Sequence, residues 1–302
     1  MDDIRYFERE TGEICTEQIY GRWALSLLYG SSTGARIFAA LCLPLLARLP
    51  FLSQLYGYLQ RHPSSKKKII PFIQLFRVDA SEFADPVSSF QSFNEFFIRK
   101  LKPECRPIDS RSDRIVMPAD GRVLIFPDLR KTEGFYVKGQ QFDLPSFLQN
   151  PAYARHYQEG SMVIIRLAPT DYHRFHFPFE GIPSKAQEIG GTLYSVNPIA
   201  LGKRLRILWE NKRMITELST ERCGLILMVE IGATCVGTIH QTYQPDRPVE
   251  KGEEKGYFSF GGSCIVLLFE KGRVTFDQDL INNSARQVET RALFGSSLAQ
   301  IR

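Results

Sequence analysis

Apolar positions follow two different patterns along the 302-residue chain. Between residues 21 and 60 they dominate long stretches that contain almost no charge, which is typical of helices with wide apolar faces. From residue 69 onward, short apolar runs are separated by turns rich in glycine and proline, which is typical of strands. The polar segment 61–68 lies between the two regions and is a candidate linker. We therefore predict a helical region over residues 1–68 and a β-rich core over residues 69–302.

Seven apolar runs supply the predicted strands of the core. No long crossover helix separates them, so antiparallel pairing is favoured over a βαβ sheet. The expected fold class is α+β, with a mainly antiparallel β sandwich or barrel-like core preceded by an N-terminal helical membrane-association module. A short helix is also expected around residues 90–101, where Ser92 is a suitable N-cap and Glu95 follows three positions later. The predicted strands are residues 122–126, 162–167, 190–196, 225–229, 234–239, 264–269 and 273–276.

The positive charge of the chain is confined to the apolar N-terminal region. The formal net charge is +5, yet residues 21–68 carry seven basic side chains and no acidic one. The uncharged runs in this region are 13, 11 and 12 residues long, shorter than the ~20 apolar residues that a transmembrane helix needs. Interfacial helices on anionic lipid fit this combination, with Trp23 and Tyr29 suited to the headgroup level. A helical hairpin packed on the protein's own core is the alternative, whereas a nucleic-acid surface would not place basic residues among so many leucines.

Cysteine usage and the N-terminus indicate the compartment. Six cysteines are scattered without a C-x-x-C pair, which argues against a zinc site and against thioredoxin-like chemistry. A reducing compartment is the simpler interpretation. The acidic first residues lack an apolar stretch directly behind them, so neither a secretory signal nor a transit peptide fits. We expect the protein to remain where it is made.

Three short stretches place reactive side chains beside residues that bend the backbone. Asp120 lies in a Pro-Ala-Asp-Gly turn, His173 and His176 lie three positions apart, and Ser263 follows a Gly-Gly pair. Each has a commonplace explanation: a turn with an Asx hydrogen bond, two hydrogen-bonded histidines, and a turn before a strand. A His-x-x-His metal site lacks a third ligand at convincing spacing, so we expect no metal. On an extended strand the two imidazoles would face opposite sides and could have different tasks.

The order and context of these stretches resemble the phosphatidylserine decarboxylase family. The similarity runs from about Arg77 to the C-terminus, whereas the first 70 residues match only in their apolar and basic character. So many ordered blocks make coincidence a poor explanation. The blocks are SFNEFFIRKLKP (92–103), RPI (106–108), the PADG turn, LAPTDYHR (167–174), GATCVGTI (232–239) and KGEEKG (251–256), which leads into the Gly-Gly-Ser.

The resemblance implies a proenzyme that cuts itself between Gly262 and Ser263. In the family's mechanism the Ser263 hydroxyl attacks the preceding carbonyl and converts the amide to an ester. The hydroxyl must lose its proton, so a base has to lie within ~3 Å. His176, oriented by Asp120, would supply that base as in a serine protease.

The resemblance also implies the cofactor and the activity. Elimination of the ester would leave a β chain of residues 1–262 and an α chain of residues 263–302 that begins with a pyruvoyl group made from Ser263. This group would act as an electron sink, in the role of pyridoxal phosphate, and convert phosphatidylserine to phosphatidylethanolamine and CO2 through a Schiff base. His173 is the candidate for positioning the carboxylate or delivering the proton. The implied enzyme is a carboxy-lyase of phospholipid biosynthesis.

Partners and location follow from the same resemblance. The expected substrate is phosphatidylserine, the processed α and β chains stay associated, and processed protomers form a homodimer. The anionic membrane surface is the expected docking partner, and no nucleic acid is expected. We expect a peripheral protein on the cell membrane, at the cytoplasmic face of a bacterial inner membrane, because an enzyme that acts on a bilayer lipid has to dock there.

One residue departs from the family's usual pattern. Cys264 stands directly after the cleavage serine, where family members usually carry threonine. Its side chain should point to the opposite face of the following strand, so we expect cleavage to survive. Two alternatives stay open: a membrane-docked lipid-binding protein without the chemistry, and a serine hydrolase that uses Ser263, His176 and Asp120 on an external ester. A soluble amino-acid substrate is disfavoured, because it would not need an interfacial module.

Overall fold

The computed structural model describes residues 4–20, 50–131, 142–202, 205–233, 238–261 and 263–302. Its strands are β1 (Arg5–Glu8), β2 (Glu13–Thr16), β3 (Arg114–Val116), β4 (Gly121–Phe126), β5 (Ser161–Leu167), β6 (Arg174–His176), β7 (Ile182–Pro183), β8 (Gln187–Ile189), β9 (Arg213–Thr220), β10 (Gly224–Gly232), β11 (Ile239–Gln241), β12 (Glu254–Phe258), β13 (Ser263–Phe269), β14 (Val274–Phe276), β15 (Glu289–Ala292) and β16 (Ser297–Ile301). Its α-helices are α1 (Pro50–Arg61), α2 (Ile69–Phe76), α3 (Phe93–Phe97), α4 (Leu144–Leu148), α5 (Pro151–Tyr157), α6 (Pro198–Leu201), α7 (Ile207–Glu210) and α8 (Gln278–Ala285).

A ten-stranded sheet is the central element. Its path is β2-β1-β15-β4-β5-β13-β10-β9-β7, and β8 also pairs with β9. The pair β1 and β15 is parallel, whereas the other neighbours are antiparallel. Two three-stranded sheets, β11-β12-β6 and β14-β16-β3, complete the described β-structure. The fold is α+β and mostly antiparallel, as predicted, but the main sheet of the described residues is open and forms no closed barrel.

Apolar side chains cover both faces of the main sheet. On the central strand β13, Ile265 and Leu267 enter one hydrophobic cluster, whereas Val266 and Leu268 enter another. Because both faces are buried, the strand reads as a continuous apolar run and not as an alternation. Burying one such side chain stabilises the fold by ~1.5–3 kcal/mol. This buried strand holds Ser263, its first residue, in a fixed position.

A third apolar cluster joins the helices to the segment ahead of β13. Phe72 of α2 and Phe93 of α3 meet at a centroid distance of 5.3 Å, and Phe93 meets Phe260 at 5.1 Å. Aromatic pairs of this kind add ~0.5–1.5 kcal/mol each to the value of burial alone. The helical segment from residue 50 to residue 97 is therefore fixed next to the Gly-Gly-Ser stretch.

The predicted helix at residues 90–101 is present but shorter. Ser92 caps it as predicted, since its Oγ accepts the Glu95 backbone N–H at 3.2 Å. The Glu95 carboxylate accepts a backbone N–H one position before the cap, at 2.6 Å. The helix ends at Phe97 because the chain then turns extended, and Leu101 forms a bridge with Phe83.

The N-terminal strands correct the prediction of a helical region over residues 1–68. β1 and β2 form a hairpin that extends the main sheet, and Glu8 and Glu17 are buried there. Their partners, Arg291 and Arg166, lie more than a hundred positions away, so no local pattern revealed them. The predicted interfacial helices between residues 21 and 49 lie outside the described residues. Within the described parts of the chain, no helix is long and apolar enough to cross a membrane.

Most of the predicted core strands are confirmed, namely those that correspond to β4, β5, β10, β13 and β14. The strand predicted at residues 190–196 is wrong. That stretch makes only an isolated bridge between Thr192 and Asn211, and the Asn211 side chain binds both backbone groups of Tyr194 in place of a neighbouring strand. Of the strand predicted at residues 234–239, positions 234–237 lie outside the described residues.

Candidate active site

Two strand pairs meet where the Gly-Gly-Ser stretch and the histidine stretch come together. Ser263, the first residue of β13, pairs with Leu167 at the end of β5 and with Gly232 at the end of β10. Six positions after Leu167, the carbonyl of His173 accepts the backbone N–H of Phe258 at 2.9 Å, just ahead of the β6 and β12 pair. Two short connections therefore cross between the same two sheets. This junction holds Ser263 and His173 in one region.

Ser263 is fully buried, and its hydroxyl has no hydrogen-bond partner among the described residues. Leaving a buried polar group unsatisfied costs ~1–3 kcal/mol, so such a group calls for a functional explanation. Gly261, two positions earlier, has a φ of 140°, a backbone conformation that side chains with a Cβ strongly resist. Gly262 itself lies outside the described residues. The expected special backbone geometry is thus confirmed at Gly261.

Cys264 points to the other face of β13, as predicted. Its side chain belongs to the cluster that contains Val266 and Leu268, whereas Ser263 lies on the face of Ile265. Burial raises the pKa of the Cys264 thiol to about 12. A protonated, buried thiol on the opposite face does not compete with the serine hydroxyl.

His173 is completely buried, and its two ring nitrogens differ. Nδ1 lies 2.9 Å from the carbonyl oxygen of Asp171, and Nε2 has no partner among the described residues. Because a carbonyl only accepts, Nδ1 carries the proton and the Nε2 lone pair is free. The ring packs on Phe97 with a centroid distance of 3.8 Å. Burial lowers the pKa of His173 to about 3, so the imidazole is neutral at pH 7.

His176 has the same arrangement in different surroundings. Its Nδ1 lies 3.0 Å from the carbonyl oxygen of Gly252, and its buried Nε2 has no partner in the described parts of the chain. The ring stacks on Phe294 at 3.7 Å with an interplanar angle of 14°, and on Tyr172 at 5.8 Å. Burial lowers the pKa of His176 to about 4. Both histidines are therefore neutral and have Nε2 available as an acceptor.

Asp120 lies close to His176 in the fold but does not hydrogen-bond to its ring. The carboxylate accepts three hydrogen bonds from Arg106, the shortest at 2.7 Å, and one from the backbone N–H of Phe294 at 2.8 Å. The backbone of His176 instead donates to the carbonyl of Pro118, in the same turn as Asp120, at 2.8 Å. The expected direct contact is replaced by an indirect one, in which Asp120 holds Phe294 and Phe294 stacks on the imidazole.

A chain of alternating charges runs beside the histidine stretch, and no sequence pattern predicted it. Asp171, two positions before His173, pairs with Arg122 and accepts the Ala168 N–H at 2.7 Å. Nearby arginines lower the pKa of the Asp171 carboxyl despite the opposing effect of burial, so it stays ionised. The chain connects the N-terminal hairpin, the histidine stretch and the C-terminal strands in the order Glu8, Arg291, Asp171, Arg122, Glu17, Arg166 and Glu289.

A second buried ion pair lies on the Ser263 face of the sheet. Lys255 Nζ is 2.9 Å from the Glu230 carboxylate, and neither side chain is exposed to solvent. Glu230 is two positions from Gly232, the register partner of Ser263. Lys255 belongs to the KGEEKG block, which carried part of the sequence resemblance without an assigned task. The pair fixes the end of β10 to β12, directly beside the junction.

No metal centre accompanies these residues. Within the described residues, no group of three histidine, cysteine, aspartate or glutamate side chains is placed to hold a metal ion.

Arg106 and Phe294 were missed as site residues because their contacts with Asp120 and His176 are long-range. Arg106 had a weak signal, since it lies in one of the family blocks, whereas Phe294 had none.

Comparison with known proteins agrees with this arrangement. A sequence model described as Phosphatidylserine decarboxylase matches residues 93–300. A protein of Fusobacterium nucleatum is 45% identical over 295 residues, which cover 98% of this chain and 97% of that protein. A protein of Chlamydia muridarum is 44% identical over 298 residues, with 99% and 97% covered. Both are named phosphatidylserine decarboxylase proenzyme. Similarity of this extent leaves one conclusion: the chain belongs to the phosphatidylserine decarboxylase family.

Proposed function

We propose that this protein is a phosphatidylserine decarboxylase that is made as a self-cleaving proenzyme. The observation that carries the proposal is the meeting of Ser263 and His173 at one junction of two sheets, with His176 three positions on. Each presents a buried polar atom that has no partner among the described residues. In a member of this family, such atoms are suited to the cleavage reaction and to the substrate that follows it.

The cleavage uses the Ser263 hydroxyl as the nucleophile. Its oxygen forms a bond to the carbonyl carbon of Gly262 as the peptide bond to nitrogen breaks, so an ester replaces the amide. Loss of the Ser263 α-proton then expels the Gly262 carboxylate and leaves dehydroalanine. Addition of water and release of ammonia produce the pyruvoyl group. Atoms balance with one water consumed and one ammonia released, and no external oxidant is needed.

The base for this reaction is His176. Its Nε2 is unprotonated, since Nδ1–H donates to Gly252 and the pKa of the imidazole is far below 7. A neutral imidazole with a free lone pair can take the hydroxyl proton. Asp120 acts through Phe294 and through the shared turn, as a positioning residue for the ring.

Ser263 is also the residue that would become the cofactor. Its hydroxyl has no competing partner among the described residues, and Gly261 supplies the backbone freedom for a strained peptide ahead of it. Once formed, the pyruvoyl group supplies an electron sink for decarboxylation of an amine-bearing substrate. His173 then positions the departing carboxylate or returns the proton to carbon. Its complete burial keeps water away from this step, which favours a reaction in which a carboxylate loses its charge.

The two processed chains are suited to stay together. The α chain would begin with β13, which has β5 on one side and β10 on the other, each paired along seven residues. Glu289 and Arg291, both in the α chain, are paired with charged partners from the rest of the molecule. Cleavage at residue 263 removes none of these contacts. A homodimer of processed protomers remains a prediction.

The helices at residues 50–76 are suited to dock on an anionic bilayer. Apolar side chains on α1 and α2 point to solvent: Leu59 is 50% and Leu75 is 66% exposed. The three exposed lysines between the helices, at positions 66–68, can attract anionic lipid at ~1 kcal/mol each. Phe72 of α2 and Phe260 belong to the same cluster, which connects the docking surface to the cleavage segment. This arrangement supports peripheral attachment to the cytoplasmic face of the cell membrane.

Intact-mass measurement of the purified protein tests the proposal. We expect two chains, of which the smaller spans residues 263–302 and carries a pyruvoyl group in place of a serine amine. The Ser263→Ala protein should run as one uncut chain. An uncut wild-type chain would contradict the proposal, and it would leave a lipid-binding protein or, if an organophosphate labels Ser263, a serine hydrolase.

A further inference from the structure

Arg99, two residues after α3, has a buried guanidinium group with few hydrogen-bond acceptors among the described residues. The residue is only 5% exposed. Nη2 donates to the Thr170 carbonyl at 3.1 Å and to the Asp171 carbonyl at 3.5 Å, and Nη1 donates to the Phe96 carbonyl at 3.4 Å. Nε has no partner among the described residues. A guanidinium has five N–H donors, and two of these three bonds are long, so the described residues leave much of the hydrogen-bonding capacity of Arg99 unused.

The charge of Arg99 is also unpaired. Other buried arginines of this region each have a carboxylate, as Arg106 has Asp120 and Arg122 has Asp171. No carboxylate of the described residues lies within ion-pair distance of Arg99. Burial lowers the pKa of Arg99 to about 10, although the carboxylates of Asp120, Asp171 and Glu82 act from beyond ion-pair distance to raise it, and Arg99 remains cationic at pH 7. A buried charge that lacks a partner is costly, and an anion brought from outside would remove that cost.

Arg213 shows what a purely structural buried arginine looks like in this fold. It also has no carboxylate partner within the described residues, yet it donates to the carbonyls of Phe147, Trp209, Asn211 and Ser146 at distances of 2.7–3.0 Å. Its donors are thus largely satisfied by the chain. Arg99 is nearly as buried and has only one bond of comparable length, so the described residues leave part of its fork open.

The open fork lies beside the proposed active site. Asp171 O accepts from Arg99 and from Nδ1 of His173, so both side chains converge on one carbonyl. Thr170, the main partner of Arg99, is three residues after Leu167, which pairs with Ser263. Three residues span at most about 11 Å. A ligand that reaches residue 263 therefore comes within reach of Arg99.

The side of the guanidinium that can accept a ligand is also defined. Arg99 Cζ lies 4.9 Å from the centroid of Phe83 and 5.0 Å from that of Phe96. Cation–π contact with two rings holds the planar group in place. An anion that approaches along the edge that carries Nε can accept the unpartnered Nε–H and, in place of the 3.5 Å bond to the Asp171 carbonyl, one N–H of Nη2, which gives two parallel N–H···O bonds to oxygens of one phosphate or carboxylate.

We propose that Arg99 binds the phosphodiester of the lipid headgroup, an inference that rests on the proposed decarboxylase function. The substrate offers two anionic groups, a phosphodiester and a carboxylate. An arginine fork on the carboxylate would stabilise the charge that must leave it, so it would bind the ground state better than the transition state. The phosphodiester keeps its charge throughout the reaction. A fork on that group strengthens binding without raising the barrier.

Arg99→Gln and Arg99→Lys test this, with Arg111→Gln as the matched control because Arg111 is exposed and pairs only locally with Asp109. Self-cleavage is measured first, by intact mass. KM and kcat are then measured with short-chain, dispersed phosphatidylserine. Inhibition is compared for sn-glycero-3-phosphoethanolamine, which has a phosphodiester and no carboxylate, and for free serine, which has a carboxylate and no phosphate.

We expect both Arg99 variants to cleave normally. Arg99→Gln should raise KM about tenfold or more, the loss typical of a charge-assisted hydrogen bond, with kcat changed much less. It should weaken inhibition by glycerophosphoethanolamine by a similar factor and leave inhibition by serine unchanged. Arg99→Lys, which keeps the charge without the fork, should lie between Arg99→Gln and wild type. Arg111→Gln should match wild type throughout.

The opposing results are equally distinct. Weakened inhibition by serine in place of the phosphodiester would assign the fork to the carboxylate and overturn the inference. Failure of both Arg99 variants to cleave would also overturn it, because Arg99 would then serve folding or cleavage. An unchanged KM in active Arg99→Gln overturns this inference alone. A wild-type protein that neither cleaves nor decarboxylates overturns the proposed function itself.

Discussion

His173 and His176 have the same hydrogen-bond arrangement, but different parts of the molecule hold their rings. Each donates Nδ1–H to a backbone carbonyl and leaves a buried Nε2 free. His173 packs on Phe97, beside the helices and the charge chain that includes Asp171. His176 packs on Phe294, in the C-terminal segment that Asp120 anchors. Both rings are neutral and offer Nε2 as an acceptor. We therefore propose that their different positions in the fold give them different tasks.

This difference supports the proposal that one short motif serves two successive reactions. We propose that the ring that stacks on Phe294 serves the cleavage step together with Asp120. The ring that packs on Phe97 shares the Asp171 carbonyl with Arg99, and we propose that it serves the substrate. Because the rings share no stacking partner, a substitution beside one should leave the other in place.

The largest expected effect comes from removing each imidazole. His176→Ala should slow self-cleavage by roughly 10²–10⁴-fold, the usual contribution of a general base, so the chain stays uncut. His173→Ala should still cleave but lose most decarboxylation. A denaturing gel reports the first reaction, and CO2 release reports the second. If both variants stopped cleavage to the same degree, the separation of tasks would be wrong.

The chain of alternating charges allows the support of His173 to be weakened by a substitution that does not touch the ring. Glu17→Gln leaves Arg122 and Arg166 with one carboxylate fewer, and breaking a buried pair in this way costs about 3–5 kcal/mol. The free energy of unfolding should fall by that order in chemical denaturation. In protein that remains folded, decarboxylation should suffer more than cleavage, because Asp171 supports His173.

Glu10→Gln is the matched control, since Glu10 lies in the same hairpin but is exposed. It should leave both the free energy of unfolding and the two reactions unchanged. Equal losses in Glu17→Gln and Glu10→Gln would show that the hairpin is sensitive to charge removal at any position, and the buried chain would then have no special part in supporting His173.

The sequence predicted the centre of the fold better than its edge. β13 and β5 were predicted because a strand that is buried on both faces has an unbroken apolar run in its sequence. The hairpin of β1 and β2 was missed, since its buried residues include Glu8 and Glu17. Those carboxylates are tolerated inside only because arginines from distant strands meet them, and a local pattern contains no such information.

The candidate site shows the same contrast between residues that the sequence predicted and residues that it did not. Ser263 and the two histidines were chosen from motifs in which reactive residues adjoin backbone-bending ones, and the Ser263 hydroxyl and both Nε2 atoms have no partner in the part of the chain that the structure describes. The residues that hold them were not found. Phe294 reaches His176 across more than a hundred positions, so its part depends on the folded topology and not on any spacing in the sequence.

A milder substitution compares the two stacking partners directly. Phe294→Leu should slow cleavage about tenfold, because an aromatic stack contributes ~0.5–1.5 kcal/mol to holding a ring in place. Phe97→Leu should lower decarboxylation by a similar factor and leave cleavage nearly unchanged. Initial rates of the two reactions in each variant make the check. A crossed result, with Phe97→Leu slowing cleavage more, would reverse the assignment of the two rings.

The pH dependence of stability tests what the two rings have in common. Burial lowers the pKa of His173 to about 3 and of His176 to about 4, whereas in the unfolded chain each has its ordinary value of about 6.5. Between pH 6.5 and pH 4 the unfolded state binds more protons, so the free energy of unfolding must fall as the pH falls. Above about pH 7.5 the imidazoles are neutral in both the folded and the unfolded chain, so their contribution is constant.

Each buried histidine contributes a slope that approaches about 1.4 kcal/mol per pH unit in that window. Uncut Ser263→Ala protein provides a homogeneous sample for urea unfolding at pH 4.5 to 8. Carboxylates also titrate near the acid end, so the same series in Ser263→Ala with His173→Gln and His176→Gln isolates the imidazoles. The triple variant should show a clearly shallower loss between pH 6.5 and 5. Equal slopes would mean that the rings are accessible to protons in the folded chain, and that neither of them is the buried neutral base that the proposed cleavage requires.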